Sequence, residues 1–82
     1  METVRYVEMY TTSTCQACKK MQEYLTDDLD VRIIELNDDN KDLFAEFAIK
    51  SAPTLFFYKD GEMVLRTEGY LPEGKFMELY LN

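Results

Sequence analysis

The sequence predicts an α/β fold whose seven elements follow the order β-α-β-α-β-β-α. The prediction rests on β-branched and aromatic runs, on apolar residues at helical spacing between them, and on the hairpin signal Asp60-Gly61. The first β-α-β unit is a crossover connection, so its strands should be parallel, whereas the hairpin makes the last strand antiparallel. A mixed four-stranded sheet with helices on both faces satisfies these constraints.

The four predicted strands are rich in valine, isoleucine and aromatic residues. Such side chains fit a pleated, half-buried surface, and neither glycine nor proline interrupts the runs. The predicted ranges are 3–11 (TVRYVEMYT), 31–36 (VRIIEL), 54–58 (TLFFY) and 63–67 (MVLRT). The aromatic side chains of the third strand are expected to lie in the core.

The three predicted helices follow from apolar residues at helical spacing. The first extends from Cys15 to about Asp28, where acidic side chains oppose the helix dipole and end the helix. The second follows a capping turn at 37–40, and the third opens at Pro72. The apolar positions are Cys18, Met21, Tyr24 and Leu25, then Leu43, Phe44 and Phe47, then Phe76, Leu79 and Tyr80.

Length and charge restrict the class of protein. Eighty-two residues predict one domain, 1–82, and the net charge of −7 argues against binding to nucleic acids or acidic membranes. No apolar run approaches the roughly 20 residues of a transmembrane helix. The start of the chain lacks the apolar core of a signal peptide, so we predict a cytoplasmic, reducing location in which the cysteines rest as a dithiol.

The only two cysteines, Cys15 and Cys18, stand at C-x-x-C spacing between the first strand and the first helix. A helix N-terminus stabilises anions, so a thiol there should ionise more easily than a free thiol of pKa about 8.5. The second thiol lies within one helical turn and is positioned to attack a mixed disulfide. The spacing therefore indicates dithiol–disulfide exchange.

Two other uses of the pair remain open at this stage. Zinc needs about four ligands, and a chain without histidine could complete such a site only with carboxylates or by sharing four cysteines between two subunits. A purely structural disulfide is the other alternative, although closing so short a loop stabilises a fold little. We predict no metal site and no bound cofactor.

The second half of the chain resembles thioredoxin. The segment from Leu43 to Glu62 contains a helix, an isoleucine, a short loop, Pro53-Thr54-Leu55, an aromatic strand and a Lys-x-Gly turn, as that family does. The stretch 68–76 resembles the glycine after the family's last strand and the start of its closing helix. Together with the C-x-x-C, the resemblance covers most of the chain and implies a thioredoxin-like fold.

The resemblance implies roles for particular residues. Cys15 would be the attacking thiolate and Cys18 the resolving thiol, which makes the chain a protein-disulfide reductase. Pro53 would form a cis peptide bond facing the cysteines, and with Ala52 and Thr54 it would shape a groove in which a substrate chain pairs as an added strand. The expected partners are disulfide-containing proteins and an electron donor similar to thioredoxin reductase, and we expect a monomer.

The chain departs from the thioredoxin pattern near the cysteines. Thr14-Cys15-Gln16-Ala17-Cys18 stands where that family has Trp-Cys-Gly-Pro-Cys, so the reduction potential cannot be inherited. Met9 and Glu35 occupy the positions of its buried aspartate and nearby lysine. The usual proton relay is therefore missing, and we expect Glu35 to be a solvated strand residue.

Two alternative functions remain. The short N-terminal part and the run before Cys15 resemble glutaredoxin, but Thr12 stands where a glutathione-binding lysine is expected, and the Gly-Gly turn is missing. A glutathione-dependent glutaredoxin is therefore the first alternative. The second is an adaptor that uses the fold for binding and leaves the cysteines idle.

Overall fold

The computed structural model describes residues 3–82, so Met1 and Glu2 of the predicted domain lie outside the described residues. The elements follow the predicted order and have these bounds: β1 Arg5–Thr11, α1 Gln16–Tyr24, β2 Val31–Glu35, α2 Lys41–Glu46, β3 Thr54–Lys59, β4 Glu62–Glu68 and α3 Glu73–Leu81. Within residues 3–82, none of the helices has the length and apolar character needed to cross a membrane.

The strands form one mixed sheet in the order β2-β1-β3-β4. β1 is parallel to β2 and antiparallel to β3, and β3 is antiparallel to β4. The register places Tyr10 of β1 between Ile34 and Thr54. The predicted mixed four-stranded sheet is confirmed. Because β1 and β2 are parallel, their carboxyl ends meet at one edge, where the two cysteines lie.

Side chains of the sheet point alternately to its two faces and form one apolar cluster on each face. Val7 and Met9 point to the face covered by α1 and α3, where Met21 and Phe76 complete the packing. Tyr10 points to the other face and packs against Phe44 of α2 and Phe56 of β3. Helices therefore cover both faces of the sheet, as predicted.

The β3–β4 hairpin turns at Asp60-Gly61, as predicted. Both residues have positive φ angles, 53° and 87°, which a tight two-residue hairpin requires and which glycine adopts without strain. The register shifts between Phe57 and Tyr58, so β4 carries an irregularity on an edge of the sheet.

The first helix is shorter than predicted, because it ends at Tyr24 and Leu25 is already extended. The chain instead forms a turn in which the Leu29 N–H donates to the Thr26 carbonyl. The acidic residues that follow Tyr24 oppose the dipole and lie in this turn. Pro72 is the N-cap of α3 rather than its first helical residue.

Candidate active site

Cys15 is the N-cap of α1, at the point where the chain leaves the carboxyl end of β1. Its backbone is extended, with φ −83° and ψ 105°, and its Sγ accepts a hydrogen bond of 3.0 Å from the Cys18 N–H. This N–H belongs to the first turn of the helix and has no intrahelical partner of its own. The donor and the helix dipole both favour negative charge on Sγ.

Cys15 and Cys18 form a disulfide in this structure, with 5.3 Å between their Cα atoms. The two residues differ in exposure, since 9% of Cys15 is accessible and only 1% of Cys18. An incoming group therefore reaches Cys15 first.

The interior beneath the disulfide is apolar. Met9 and Met21 are fully buried in the same cluster as the cysteines. Among residues 3–82, the buried polar side chains are those of Thr11 and Thr54, and none of the buried residues carries a charge. Glu35 is exposed, as predicted. No carboxylate is therefore buried next to Cys18 in the described part of the chain.

The loop before β3 faces the cysteines. The Ala52–Pro53 peptide bond is cis, as the resemblance implied. Pro53 and Thr54 are buried, the Pro53 carbonyl accepts from the Gly69 N–H at 2.8 Å, and the Thr54 hydroxyl donates to the Ser51 carbonyl at 2.6 Å. Within residues 3–82, neither the N–H nor the C=O of Ala52 makes a hydrogen bond. Both groups are free to pair with another chain.

An open groove of about 470 Å³ lies between Cys15 and this loop. It is lined by Thr12, Cys15, Gln16, Ala17, Leu36, Phe44, Ile49, Lys50, Ser51 and Ala52. The structure thus brings two of the predicted site residues, Cys15 and Ala52, to one surface. Cys18, Pro53 and Thr54 lie beneath that surface and do not line the groove.

Leu36, Phe44, Ile49 and Lys50 line the groove, although none of them was predicted from the sequence as a site residue. Leu36 directly follows β2, and its N–H donates to the Thr11 carbonyl at 2.9 Å, which holds it beside the end of β1. Ligand sites in α/β proteins lie at the carboxyl ends of parallel strands. That rule, applied to the end of β2, would have identified Leu36. Lys19 and Lys20, in contrast, are exposed on α1 outside the groove lining.

Comparison with known proteins assigns the family. Residues 2–82 match the thioredoxin-like domain family. A thioredoxin of Staphylococcus haemolyticus is 34% identical over 93% of this chain and 78% of its own. The chloroplastic thioredoxin F of rice (Oryza sativa subsp. japonica) is 41% identical over 77% of this chain, and the match spans only 36% of the rice protein.

Solved structures agree with this assignment. The oxidised form of mitochondrial thioredoxin 3 from Saccharomyces cerevisiae superposes with a TM-score of 0.71 and 26% identity. The superposition covers 94% of this chain and 76% of the yeast chain. The family match, these relatives and the bonded Cys15–Cys18 pair lead to one conclusion. The chain belongs to the thioredoxin-like family and is a thiol–disulfide oxidoreductase.

Proposed function

We propose that the protein reduces disulfide bonds in partner proteins through a mixed disulfide at Cys15. One observation carries this assignment: the more exposed sulfur of the pair sits at a helix N-terminus and borders an open groove. Its partners are disulfide-containing proteins and a reductase that returns the pair to the dithiol. Cys15 and Cys18 are the catalytic residues of this proposal.

The first step is attack by the Cys15 thiolate on one sulfur of the substrate disulfide. A bond forms between Cys15 Sγ and that sulfur, the substrate S–S bond breaks, and the other substrate sulfur leaves as a thiolate and takes a proton. The helix N-terminus and the Cys18 N–H stabilise the attacking thiolate. The groove admits the substrate to this sulfur and leaves Cys18 covered.

The second step is resolution by Cys18. Its thiol loses a proton, its sulfur attacks Cys15 Sγ, and the mixed disulfide breaks, so the second substrate sulfur leaves and is protonated. Two electrons have then passed to the substrate, and the protein holds the Cys15–Cys18 disulfide seen in the structure. Because no carboxylate is buried beside Cys18 within residues 3–82, solvent takes the Cys18 proton.

The loop 51–54 holds the substrate chain against Cys15. The free N–H and C=O of Ala52 pair with an extended substrate segment, as an added strand does at a sheet edge. Pro53 and Thr54 act beneath the surface. Their bonds to Gly69 and Ser51 fix the orientation of the loop.

The electron donor, the oligomeric state and the location complete the proposal. We assign a flavin-dependent reductase of the thioredoxin reductase type as donor, because the comparisons group this chain with thioredoxins. Three statements stay predictions from the sequence: that the protein is a monomer, that residues 1–82 form a single domain, and that the protein is located in the cytoplasm. The relatives themselves come from more than one compartment, since two are described as chloroplastic and mitochondrial.

A turnover assay tests this function. The purified protein is first oxidised. It is then mixed with a protein disulfide and with one of two electron donors, either a thioredoxin reductase with its nicotinamide cofactor or glutathione. The rate at which the protein disulfide is reduced is the quantity measured. We expect turnover with the reductase and loss of turnover in both Cys15→Ser and Cys18→Ser. Turnover with glutathione alone would establish the glutaredoxin alternative. The absence of turnover with either donor would establish the adaptor.

A further inference from the structure

We propose that the groove selects substrate segments by two side chains: a large apolar one next to the target cysteine and an acidic one nearby. This inference rests on the proposed function and specifies which segments it accepts. The groove is defined by its ten lining residues and measures about 470 Å³. That size lies within the roughly 300–1,000 Å³ of typical ligand pockets. Because the groove borders the unpaired backbone of Ala52, its occupant in this proposal is a short extended segment of a substrate protein.

The apolar preference follows from three apolar side chains that line the groove. Leu36, Phe44 and Ile49 come from the end of β2, from α2 and from the following loop, and they form one apolar surface beside Cys15. Leu36 is 43% exposed, whereas Phe44, which also lines the groove, is buried. A substrate leucine or phenylalanine placed there would remove apolar area of both partners from water. A small or polar side chain would bury less apolar area and would therefore bind there less well.

The acidic preference follows from the charge of the lining. Lys50 is the one charged side chain among the ten lining residues, although acidic residues outnumber basic ones 16 to 9 in the whole chain. The single charge of the groove lining is thus positive, although the protein as a whole is acidic. An aspartate or glutamate in the bound segment would pair with Lys50, whereas a lysine would be repelled. Exposed pairs contribute little affinity, so this contact discriminates between segments more than it holds them.

The two preferences act on one bound segment because Lys50 and Ala52 belong to the same loop. The loop runs along the groove from Ile49 to Ala52. A substrate strand that pairs with the free backbone of Ala52 would lie along this loop and pass Cys15. Its side chains would then meet the apolar surface and Lys50 in the same binding event.

Short peptides joined as disulfide dimers test the inference. Each peptide has one cysteine, a neighbouring leucine or alanine, and a nearby aspartate or lysine. The pre-reduced protein is mixed with each dimer, quenched with acid and analysed for released peptide thiol. We expect the leucine–aspartate peptide to react about fivefold faster than the alanine–aspartate peptide and about fivefold faster than the leucine–lysine peptide.

A charge-reversal variant assigns the acidic preference to Lys50. Lys50→Glu should invert the ratio between the aspartate and lysine peptides. Lys59→Glu is the matched control, because Lys59 lies at the opposite end of β3 and both changes alter the net charge equally. Lys59→Glu should leave the ratio as it is in the unmodified protein. An unchanged ratio in Lys50→Glu, or an equal change in both variants, would overturn the assignment.

A truncation variant assigns the apolar preference to Leu36. Leu36→Ala should remove most of the difference between the leucine and alanine peptides. Leu81→Ala is the control, because Leu81 is also exposed, at 59%, but lies outside the groove. An undiminished difference in Leu36→Ala would contradict the proposal.

Glutathione disulfide is a control substrate, because it carries carboxylates but lacks a large apolar side chain. It shows whether the protein selects the apolar side chain or simply prefers small substrates with carboxylates. We expect it to react more slowly than the leucine–aspartate peptide, because it has no large apolar side chain. Equal rates for all peptides and glutathione disulfide would overturn the selectivity and leave the reductase function intact. If the protein reduced neither these compounds nor a protein disulfide, the proposed function itself would be contradicted.

Discussion

At the scale of single residues, the two cysteines share a bond but differ in environment. Cys15 borders the groove, accepts a hydrogen bond from the Cys18 N–H and keeps 9% of its surface accessible, whereas Cys18 is covered by the helix and the apolar cluster. Met9 fills the interior below them without supplying a charge. The attacking role therefore follows from access and helix geometry, and the resolving role from proximity.

The first residue-scale prediction concerns the proton acceptor for Cys18. Glu35→Gln should leave the rate of resolution within about twofold, because exposed charged side chains point to water and contribute little to buried chemistry. The rate is measured by rapid mixing of a preformed mixed disulfide and chemical quenching. A tenfold fall in this rate, with unchanged alkylation of Cys15, would make Glu35 the acceptor.

At the scale of elements, Arg66 connects β4 to the segment that lines the groove. Its guanidinium donates to the carbonyls of Phe47 and Ala48 at 2.7 Å and 3.1 Å and lies over the Phe56 ring. These two carbonyls follow the end of α2, where backbone acceptors have no helical partner. The planar guanidinium of arginine has several N–H donors in a fixed geometry and can therefore bond both carbonyls at once. Lysine would not replace it fully.

We predict that Arg66→Met lowers the free energy of unfolding by about 1–2 kcal/mol, since it removes two charge-assisted hydrogen bonds from a side chain that is one-third exposed. Urea unfolding measures the change. Arg32→Met is the control: Arg32 is also on an outer strand and lies over an aromatic ring, that of Tyr6, but it is more exposed and donates to no backbone carbonyl within residues 3–82. Equal losses in the two variants would show that the carbonyl contacts contribute nothing specific.

Sequence patterns predicted the elements better than they predicted the groove. Periodicity and the Asp60-Gly61 turn determine strand and helix type locally, so the order and the sheet could be foreseen. The groove depends on which side chains several separate segments bring together. Lys50 carries no local signal for this, and only the rule on the ends of parallel strands would identify Leu36. The end of α1 was also misjudged, because the apolar Leu25 continues the helical spacing although its backbone is already extended.

At the scale of the whole molecule, the buried Tyr10 and the half-buried Tyr24 lie on opposite faces of the sheet and make stability sensitive to alkaline pH. Burial raises the pKa of Tyr10 to about 12 and that of Tyr24 to about 12. Tyr24 also donates to the Leu71 carbonyl at 2.7 Å, which joins α1 to the segment before α3. The folded protein therefore favours both phenols in their neutral form.

We predict that the stability contributed by the neutral phenols is fully present below about pH 10 and is lost between pH 10 and 12. The sign follows from linkage: the folded pKa lies above the unfolded one, so deprotonation favours the unfolded chain. Urea unfolding of the oxidised protein at a series of pH values measures this. Tyr24→Phe should be less stable at pH 9 and should show a shallower alkaline fall. An identical fall in that variant would remove Tyr24 from the explanation.

The most direct test of the account is the trapping of a mixed disulfide in single-cysteine variants. We predict that Cys18→Ser accumulates a covalent adduct with a disulfide-containing substrate, which mass spectrometry locates at Cys15, and that Cys15→Ser accumulates little. Alkylation of the reduced protein at neutral pH should likewise modify Cys15 first. Adducts that form on Cys18 in Cys15→Ser at an equal or higher rate would contradict the assigned roles.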